Sequence, residues 1–221
     1  MINILFVTLN HEKPSTLGAE TTKPIWNIRV VLAAHYAEGI PLGEVRAALV
    51  THVIQPILSG IELDPNHILV NGGGEFYIGG FVADAGTTGR KIVVDQYGPE
   101  VPVGGGAFSG KDPTKVDRSG AYFARFVAKS IVASGLAARA LVTVAYGIGQ
   151  QHPEMVSLQT DLPEGREGDL ESKIQQIFDF RPAAMIERLG LRQPNGWRYQ
   201  DTAATGHYGN NRFPWEQAVS L

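Results

Sequence analysis

The spacing of apolar positions along the chain predicts a mixture of strands and helices. Residues 2–9 (INILFVTL) are almost continuously apolar and rich in β-branched side chains, which is typical of a strand buried on both faces. Residues 41–57 carry apolar side chains at three- and four-residue spacing after Pro41, which predicts a helix packed on a sheet. Residues 119–134 repeat the helical pattern, and residues 141–149 alternate as a strand does. This order predicts an α/β (α+β) fold in which helices cover mixed sheets.

The stretch at about 12–39 fits neither pattern cleanly. It opens with a polar part that contains Pro14 and Gly18, and residues 25–39 (IWNIRVVLAAHYAEG) are then helical in propensity but apolar on most sides. We therefore predict a helix here, and such a helix must be covered. Either the core covers it or another chain does, and Trp26 is of the residue type that interfaces favour.

A glycine turn and a pair of cations mark the middle of the chain. Residues 71–74 (NGGG) predict a turn, followed by a hairpin over residues 75–81 (EFYIGGF). Phe76 could present its ring to a planar ligand, although core packing is the commoner fate of a strand phenylalanine. Arg90 and Lys91 begin a predicted strand, IVVDQY, in which adjacent side chains point to opposite faces. Both contact one ligand only if the strand edge meets the site, and otherwise one of them is merely solvated.

Composition narrows the function classes. The chain has 221 residues, which is enough for one or two domains with a substantial core. It has no cysteine, which excludes disulfides and thiolate metal sites, and its net charge of -3 argues against a broad nucleic-acid-binding face. No apolar run reaches the length of a membrane span and no signal-peptide pattern opens the chain. We expect a cytoplasmic protein with neither nucleic acid nor membrane as a partner.

Residues 104–119 (GGGAFSGKDPTKVDRS) carry the clearest candidate chemistry. Three consecutive glycines let the backbone present its N–H groups to an anion at close range, and Lys111 and Lys115 add two positive charges. Asp117 is placed either to cap the following helix or to hold a divalent cation shared with phosphate oxygens. The stretch nearly matches the GxxxxGK loop of nucleotide-binding proteins, but Asp112 replaces the Ser or Thr that binds Mg²⁺. We predict a different phosphate loop, and the alternative is a glycine-rich surface turn with solvated lysines.

Several long, ordered motifs resemble those of the methionine adenosyltransferases, also called S-adenosylmethionine synthetases. The motifs are Phe76-x-Ile78-Gly79-Gly80, Asp84-x-Gly86-x-Thr88-Gly89-Arg90-Lys91, the glycine loop, AYFARFVAKSIVASGLAARALVTVAYGIG, FDFRP and GHYGNNRFPWE. The resemblance covers roughly residues 66–216. It implies the layered sheet-and-helix fold of that family, with a partial central domain over residues 1–77 and a complete C-terminal domain over residues 78–221.

The resemblance also implies a reaction and the residues that serve it. In the family, the methionine sulfur attacks the 5′ carbon of ATP and expels triphosphate, which is then cleaved to pyrophosphate and phosphate. By motif, the catalytic cations are Arg90, Lys91 and Lys111, and the ATP contacts are Phe76, Gly104, Gly105, Gly106, Lys115 and Ile148. Phe76 and Ile148 would contact adenine, Asp84 and Lys115 would contact methionine, and Asp117 would bind Mg²⁺. K⁺ is a further candidate cofactor. A neutral thioether needs no general base, so a cluster of cations around the leaving group fits this chemistry.

The sequence departs from the family pattern before the glycine loop. A His-Pro-Asp-Lys segment of the family has no counterpart here, Val103 stands where many relatives have histidine, and residues 12–39 look like an insertion. We therefore expect one subunit of a split, hetero-oligomeric methionine adenosyltransferase, with the site at a subunit interface and a separate chain carrying the N-terminal half. The alternatives are a non-catalytic partner that modulates a full-length enzyme and a stand-alone polyphosphate- or ATP-binding protein.

Overall fold

The computed structural model describes residues 2–11, 26–61, 63–83, 86, 89, 91–163 and 166–221, with side chains from residue 29 onwards. The chain forms two compact units. The first unit comprises residues 1–85 and 147–150, and the second unit comprises residues 86–146 and 151–221. The first unit is thus made from two separate stretches of the chain. The domain boundary at 77/78 stays a prediction.

The sheet of the first unit has three strands in the order β1-β2-β3. β1 (Ile2–His11) pairs antiparallel with β2 (Trp26–Ala34), and β2 pairs parallel with β3 (Ile68–Val70). The strand predicted over residues 2–9 is confirmed. β2 is the central strand because it has a hydrogen-bonded neighbour on each side.

The helix predicted within residues 12–39 is wrong over residues 26–34, which form β2. Residues 30–34 are all buried, so this segment is apolar on both faces because it occupies the centre of a sheet. Periodicity alone cannot separate a buried strand from a buried helix, and the β-branched side chains of the segment favour the strand. Residues 12–25 lie outside the described residues.

A continuous helical segment packs against this sheet, as the sequence predicts for residues 41–57. It consists of α1 (Leu42–Leu49), a π-helical turn (Val50–Ile54) and α2 (Gln55–Ile57). Its Ile54 is buried in one cluster with side chains of both neighbouring strands, namely Val30, Leu32 and Val70. Burial of each such side chain stabilises the unit by roughly 1.5–3 kcal/mol.

Asn71 joins β3 to the glycine turn that follows it. Its φ is +48°, a left-handed conformation that asparagine tolerates better than most residues do. Its buried side chain bonds both backbone groups of Ala34: the Ala34 N–H donates to Oδ1 (2.8 Å), and Nδ2 donates to the Ala34 carbonyl (3.0 Å). The side chain therefore extends the parallel ladder and fixes the start of the turn at residues 72–74.

The hairpin predicted over residues 75–81 is wrong. These residues are described throughout and contain no strand, and the chain turns into a short helix, α3 (Gly80–Ala83). Gly80 has a φ of +62°, which a regular strand does not allow. Gly79 lies so close to the ring of His35 that a Cβ would sit 2.6 Å from the ring Cγ. These glycines therefore serve a turn and a close approach rather than a β-ladder.

The second unit contains a long helix and an antiparallel hairpin. The helix is α4 (Val116–Ala133), and the hairpin joins β4 (Ala140–Ala145) to β5 (Met155–Thr160). α4 packs on β4. It begins three residues before the predicted start and stops before Gly135, whose φ of +67° ends the helix as predicted. β4 confirms the predicted strand over its first part.

Three further helices and a docked C-terminal segment complete the second unit. They are α5 (Glu167–Ile177), α6 (Pro182–Arg188), α7 (Tyr199–Thr205) and a 3-10 turn at Pro214–Glu216. Within their shared core, Trp215 stacks on Tyr122 at a ring distance of 3.8 Å, so the aromatic tail is docked as predicted. The predicted mixed α/β fold is confirmed. None of the described helices is both long and apolar enough to cross a membrane.

Candidate phosphate-binding site

Residues 104–117 form a loop of the second unit that leads into α4, and we call this segment the phosphate loop. Phe108 at its middle is buried, and the Phe108 carbonyl accepts the N–H of Lys111 (3.2 Å). Asp112 then makes a turn of its own: its Oδ1 accepts the N–H two residues on (2.8 Å), and its carbonyl accepts the N–H of Lys115 (3.1 Å). These bonds fix the backbone of both lysines at the entrance to the helix.

Both lysines of the phosphate loop are paired with carboxylates of the same loop. Lys111 Nζ lies 2.6 Å from Asp117 Oδ2, and Lys115 Nζ lies 2.9 Å from Asp112 Oδ2. Hydrogen bonds from Thr114 and Lys115 hold the pKa of Asp112 well below its ordinary value. Ion pairs that face solvent contribute little to stability, so a more highly charged anion can displace either carboxylate from its lysine.

Gly106 packs directly on the carboxyl group of Asp117. A Cβ at Gly106 would lie 2.4 Å from both Cγ and Oδ1 of Asp117, so any larger residue at this position would displace the carboxyl group. Asp117 lies in the first turn of α4, but the N-cap residue is Lys115 and its side chain makes no capping hydrogen bond. Of the two roles left open by the sequence, capping is therefore not the one seen at Asp117, whose Oδ2 accepts from Lys111 instead.

The segment before the phosphate loop reaches that loop at Gly89. Gly89 has a φ of +58°, and a Cβ there would lie 3.3 Å from the Cβ of Ala107. Lys91, two residues on, is exposed. Arg90 and Asp84 lie outside the described residues, and their roles stay predictions, as does that of Lys91.

The strand predicted over residues 92–97 is wrong, because the chain makes successive turns there. The N–H of Asp95 donates to the Lys91 carbonyl (2.9 Å), and the N–H of Gly98 donates to the Val93 carbonyl (2.9 Å). The argument that adjacent side chains point to opposite faces applies to strands and therefore does not apply at Lys91.

The two residues expected at adenine, Phe76 and Ile148, belong to the first unit. Ile148 packs against the glycine turn: its carbonyl oxygen lies 2.7 Å from where a Cβ of Gly72 would be, and its own side chain is 51% exposed. Phe76 is half-buried, with its ring edge-on to His35 at 6.0 Å. The exposed Ile148 side chain is open to an apolar ring, whereas part of the Phe76 ring already has a protein neighbour. Both adenine contacts stay predictions.

Arg118 binds the phosphate loop from its buried side. This arginine is 3% exposed, and Nη1 donates to the carbonyl of Lys111 at 2.8 Å. Nη2 donates to Thr202 Oγ1 on α7 (3.0 Å), and Nε donates to the hydroxyl of Tyr122 (3.1 Å). Its guanidinium also lies over the ring of Tyr199, 4.3 Å from the centroid. One buried side chain thus connects the loop to two helices.

His207 extends this polar cluster to a second position of the loop. Its Nδ1 lies 2.8 Å from the Tyr122 hydroxyl, and its Nε2 faces Ser109 Oγ at 3.5 Å. Burial, followed by the charge of Arg118, holds the pKa of His207 below its ordinary value. Burial likewise raises the pKa of Tyr122. The cluster therefore holds a neutral imidazole and a neutral phenol behind the loop.

Sequence reasoning missed this cluster. Arg118 and Tyr122 are four residues apart on α4, so their shared helix face was a detectable signal. Nothing local indicates that His207 meets them, since it lies 85 residues beyond Tyr122 and reaches the cluster only through the fold.

A magnesium ion fits this site only if the substrate provides part of its coordination shell. No group of three or more His, Cys, Asp or Glu side chains able to hold a metal occurs among the residues that the structure describes. Mg²⁺ commonly takes one or two carboxylates and completes its shell with substrate phosphates and water. Asp117 fits the role of one such carboxylate, because it is exposed and, within the described part of the chain, is ion-paired with Lys111 alone.

Comparison with known proteins identifies relatives of this chain. A family model described as the C-terminal domain of S-adenosylmethionine synthetase matches residues 78–217. The S-adenosylmethionine synthase of Deinococcus deserti is 50% identical over 192 residues, covering 85% of this chain and 46% of the relative. That of Petrotoga mobilis is 46% identical over 202 residues, covering 90% and 50%. That of Chlorobium phaeobacteroides is 46% identical over 192 residues, covering 83% and 48%.

Sequence identity to these relatives is high, but it extends over only part of their length. This chain spans about half the length of the curated relatives it matches. The family match includes the whole phosphate loop, α4 and the docked C-terminal turn. The chain therefore belongs to the S-adenosylmethionine synthetase family and carries the C-terminal domain of that family over residues 78–217.

Proposed function

We propose that this chain supplies the polyphosphate-binding part of a methionine adenosyltransferase. The observation that carries the proposal is the convergence of Lys111, Asp117 and Gly106 at the start of α4, where the two charged groups lie 2.6 Å apart and the glycine is packed on the carboxyl. The N-terminus of a long helix also favours anions, because its free N–H groups and its dipole attract negative charge.

The proposed reaction joins the sulfur of methionine to C5′ of ATP. The sulfur lone pair forms the S–C5′ bond while the bond from C5′ to the triphosphate oxygen breaks. Positive charge then appears on sulfur, and the leaving electron pair goes to the triphosphate. Water subsequently cleaves the triphosphate into pyrophosphate and phosphate. Since the thioether has no proton to lose, the residues must mainly align the reactants and stabilise the leaving group.

Exchange of partners at Lys111 gives the loop a way to bind its substrate. In this structure Lys111 and Asp117 neutralise each other. A triphosphate oxygen would replace the carboxylate beside Lys111, and Asp117 would then be available to Mg²⁺ together with phosphate oxygens. Mg²⁺, when bound, neutralises charge on the triphosphate. Lys115 can exchange its partner, Asp112, for a phosphate oxygen in the same way.

We propose further that a second polypeptide completes the site. The first unit leaves large apolar side chains uncovered: Phe81 is 89% exposed and Val82 is 87% exposed on α3, and Ile78 before it is also exposed. An apolar group of this kind is typical of a surface that another chain covers. In this arrangement the second chain corresponds to the half of the relatives that this sequence does not match, and the assembly is a hetero-oligomer.

Binding of inorganic tripolyphosphate tests the role of the loop without the rest of the enzyme. We expect Mg²⁺ and tripolyphosphate to shift the amide NMR signals of residues 104–117, and we expect Lys111→Ala to weaken this binding about tenfold. Lys173→Ala changes an exposed lysine on α5 and is the matched control. Equal affinities of the wild type and Lys111→Ala would contradict the proposed phosphate site.

Reconstitution tests the second polypeptide. The N-terminal half of the Deinococcus deserti synthase, purified separately, is mixed with this chain, ATP, methionine and Mg²⁺, with and without K⁺. We expect S-adenosylmethionine only when both chains are present, and only a trace with Lys111→Ala. If instead the chain alters the rate of a full-length synthase but never forms product with a half, it is a modulator and the split-enzyme proposal fails.

A further inference from the structure

We propose that Arg118, Tyr122 and His207 form a clamp that positions the phosphate loop for polyphosphate, a role that rests on the proposed function of that loop. The clamp holds the loop at two places. Arg118 Nη1 binds the carbonyl of Lys111 at 2.8 Å, and His207 Nε2 faces Ser109 Oγ at 3.5 Å. Tyr122 joins the two halves through its hydroxyl.

The partners of Arg118 point to this role. Its three hydrogen bonds within the described part of the chain go to neutral acceptors, namely a backbone carbonyl, a phenol and a threonine hydroxyl. Within the described part of the chain, no carboxylate lies within ion-pair distance of its guanidinium. A buried charge without a counterion is costly, and an apolar residue would fill the same space more stably. We therefore attribute the buried charge of Arg118 to the loop that this side chain holds and to the anion that the loop is proposed to receive.

A second arginine of α4, Arg125, has a partner of a different kind. Arg125 also lies on α4, but it is half-buried and donates to the carboxylate of Glu216 in the C-terminal segment. Its charge is neutralised locally, and among the described residues it makes no hydrogen bond or ion pair with the phosphate loop. The two arginines of α4 thus have different roles. Arg125 holds the C-terminal segment against α4, whereas Arg118 holds the phosphate loop.

The clamp acts through Lys111. Arg118 fixes the carbonyl of Lys111, and the N–H of Lys111 is fixed by Phe108, so both backbone groups of this residue are held. Phe108 itself packs edge-on against the rings of Tyr122 and His207, at 5.6 and 5.0 Å. With the backbone of Lys111 held in this way, less backbone entropy is lost when its side chain meets a phosphate.

Amide hydrogen exchange and tripolyphosphate binding, measured on the whole chain, test the clamp. We expect Arg118→Met to speed the exchange of the Lys111 amide in the ligand-free chain and to weaken tripolyphosphate binding about tenfold. Tyr122→Phe removes only one hydroxyl and should change both quantities in the same direction by a smaller factor. Arg125→Met is the matched control: it should lower the melting temperature while leaving binding and Lys111 exchange within about twofold.

The outcomes separate this proposal from the proposed function. If the wild type does not bind tripolyphosphate, or Lys111→Ala binds it equally well, the phosphate-site proposal fails, while exchange at Lys111 still decides whether the clamp exists. If Lys111→Ala loses binding but Arg118→Met and Tyr122→Phe match the wild type in both measurements, the clamp is overturned. Should Arg118→Met fail to fold, Tyr122→Phe alone decides, since it keeps the ring that stacks on Trp215.

Discussion

The three glycines at the start of the phosphate loop differ in what a side chain would meet. A Cβ at Gly104 or Gly105 would have nothing within 4 Å, whereas at Gly106 it would lie 2.4 Å from the carboxyl of Asp117. The sequence predicts the same role for all three, as backbone donors to phosphate. Of these three, Gly106 alone has a steric reason to be glycine, and that reason is its contact with Asp117, the proposed metal ligand.

Gly106→Ala should displace the carboxyl of Asp117 and open its ion pair with Lys111, because a Cβ cannot approach those atoms so closely. We expect the amide NMR signals of Asp117 and Lys111 to move without any ligand, and tripolyphosphate binding to weaken about tenfold. Gly105→Ala is the matched control and should leave the ligand-free signals of both residues in place. Equal shifts in the two variants would contradict the argument.

His207 gives the second unit a pH dependence of definite sign. Burial and then Arg118 hold the pKa of His207 below its ordinary value of 6.5, while Asp95 opposes them. The unfolded chain therefore takes up a proton at a higher pH than the folded chain does. Stability is at its full value above the unfolded-state pKa and falls as the pH drops from there towards the folded-state pKa.

The free energy of unfolding, measured with urea, should accordingly decrease between about pH 7 and pH 5. His207→Asn should flatten this slope, because it removes the group that titrates. The carboxyls with lowered pKa values, which are those of Asp112, Asp161, Asp179 and Glu216, titrate below this window. A slope that is unchanged in His207→Asn would show that another group causes it.

The sequence predicts the chemistry of residues that lie close together in the chain. The glycines, lysines and carboxylates of the phosphate loop stand within one motif, so their common chemistry can be predicted from spacing and charge. Their pairing, Lys111 with Asp117 and Lys115 with Asp112, could not be predicted, because each lysine has two carboxylates within six residues. Which pair forms depends on the backbone turns of the loop, and these turns cannot be derived from the motif alone.

One buried carboxylate ties the C-terminal segment to α4. The side chain of Glu216 is inaccessible to solvent and accepts hydrogen bonds from Arg125 (3.1 Å), from Lys129 (2.9 Å) and from the N–H of Gly209 (2.9 Å). Burial opposes the ionisation of Glu216, but these hydrogen bonds outweigh it and hold its pKa below the ordinary value. The segment is thus held by charge as well as by the aromatic packing of Trp215.

Glu216→Gln should destabilise the chain by about 3 kcal/mol, since it leaves two cations facing a neutral group in a buried place. This is the lower end of the usual range, because Arg125 and Lys129 are themselves partly exposed. Glu187→Gln, at an exposed position of α6, is the control and should change stability by less than about 0.5 kcal/mol. Urea unfolding measures both, and equal stabilities of the two variants would contradict the prediction.

Helices with a polar face were predictable, whereas the buried central strand β2 was not. The helical segment at residues 42–57 and α4 show the helical period because one side of each faces solvent. β2 shows no such period, because both of its faces are buried. Residues 92–97 have the composition of a strand, yet composition does not reveal whether a partner strand is present, and here the segment turns instead.

The side chains that the structure describes form cores of different size in the two units. Among the residues whose side chains the structure describes, the main cluster of the first unit buries four apolar side chains, whereas that of the second unit buries 20. Stability in a protein is distributed according to such packing, so opening of the first unit should need less free energy. The family resemblance predicts the fold of the second unit well, because the matched residues 78–217 contain all 20 of these buried side chains.

Hydrogen–deuterium exchange read by mass spectrometry should detect this difference. We expect the amides of β2 and β3 to exchange at least about tenfold faster than those of α4 and β4, because fewer buried contacts oppose their local opening. Addition of the N-terminal half of a relative should slow exchange in the first unit, where Phe81 and Val82 are exposed, and α4 serves as the internal control. If the two units exchange at equal rates and the added half protects neither, then the first unit is stable on its own and the proposal that a second polypeptide covers it is wrong.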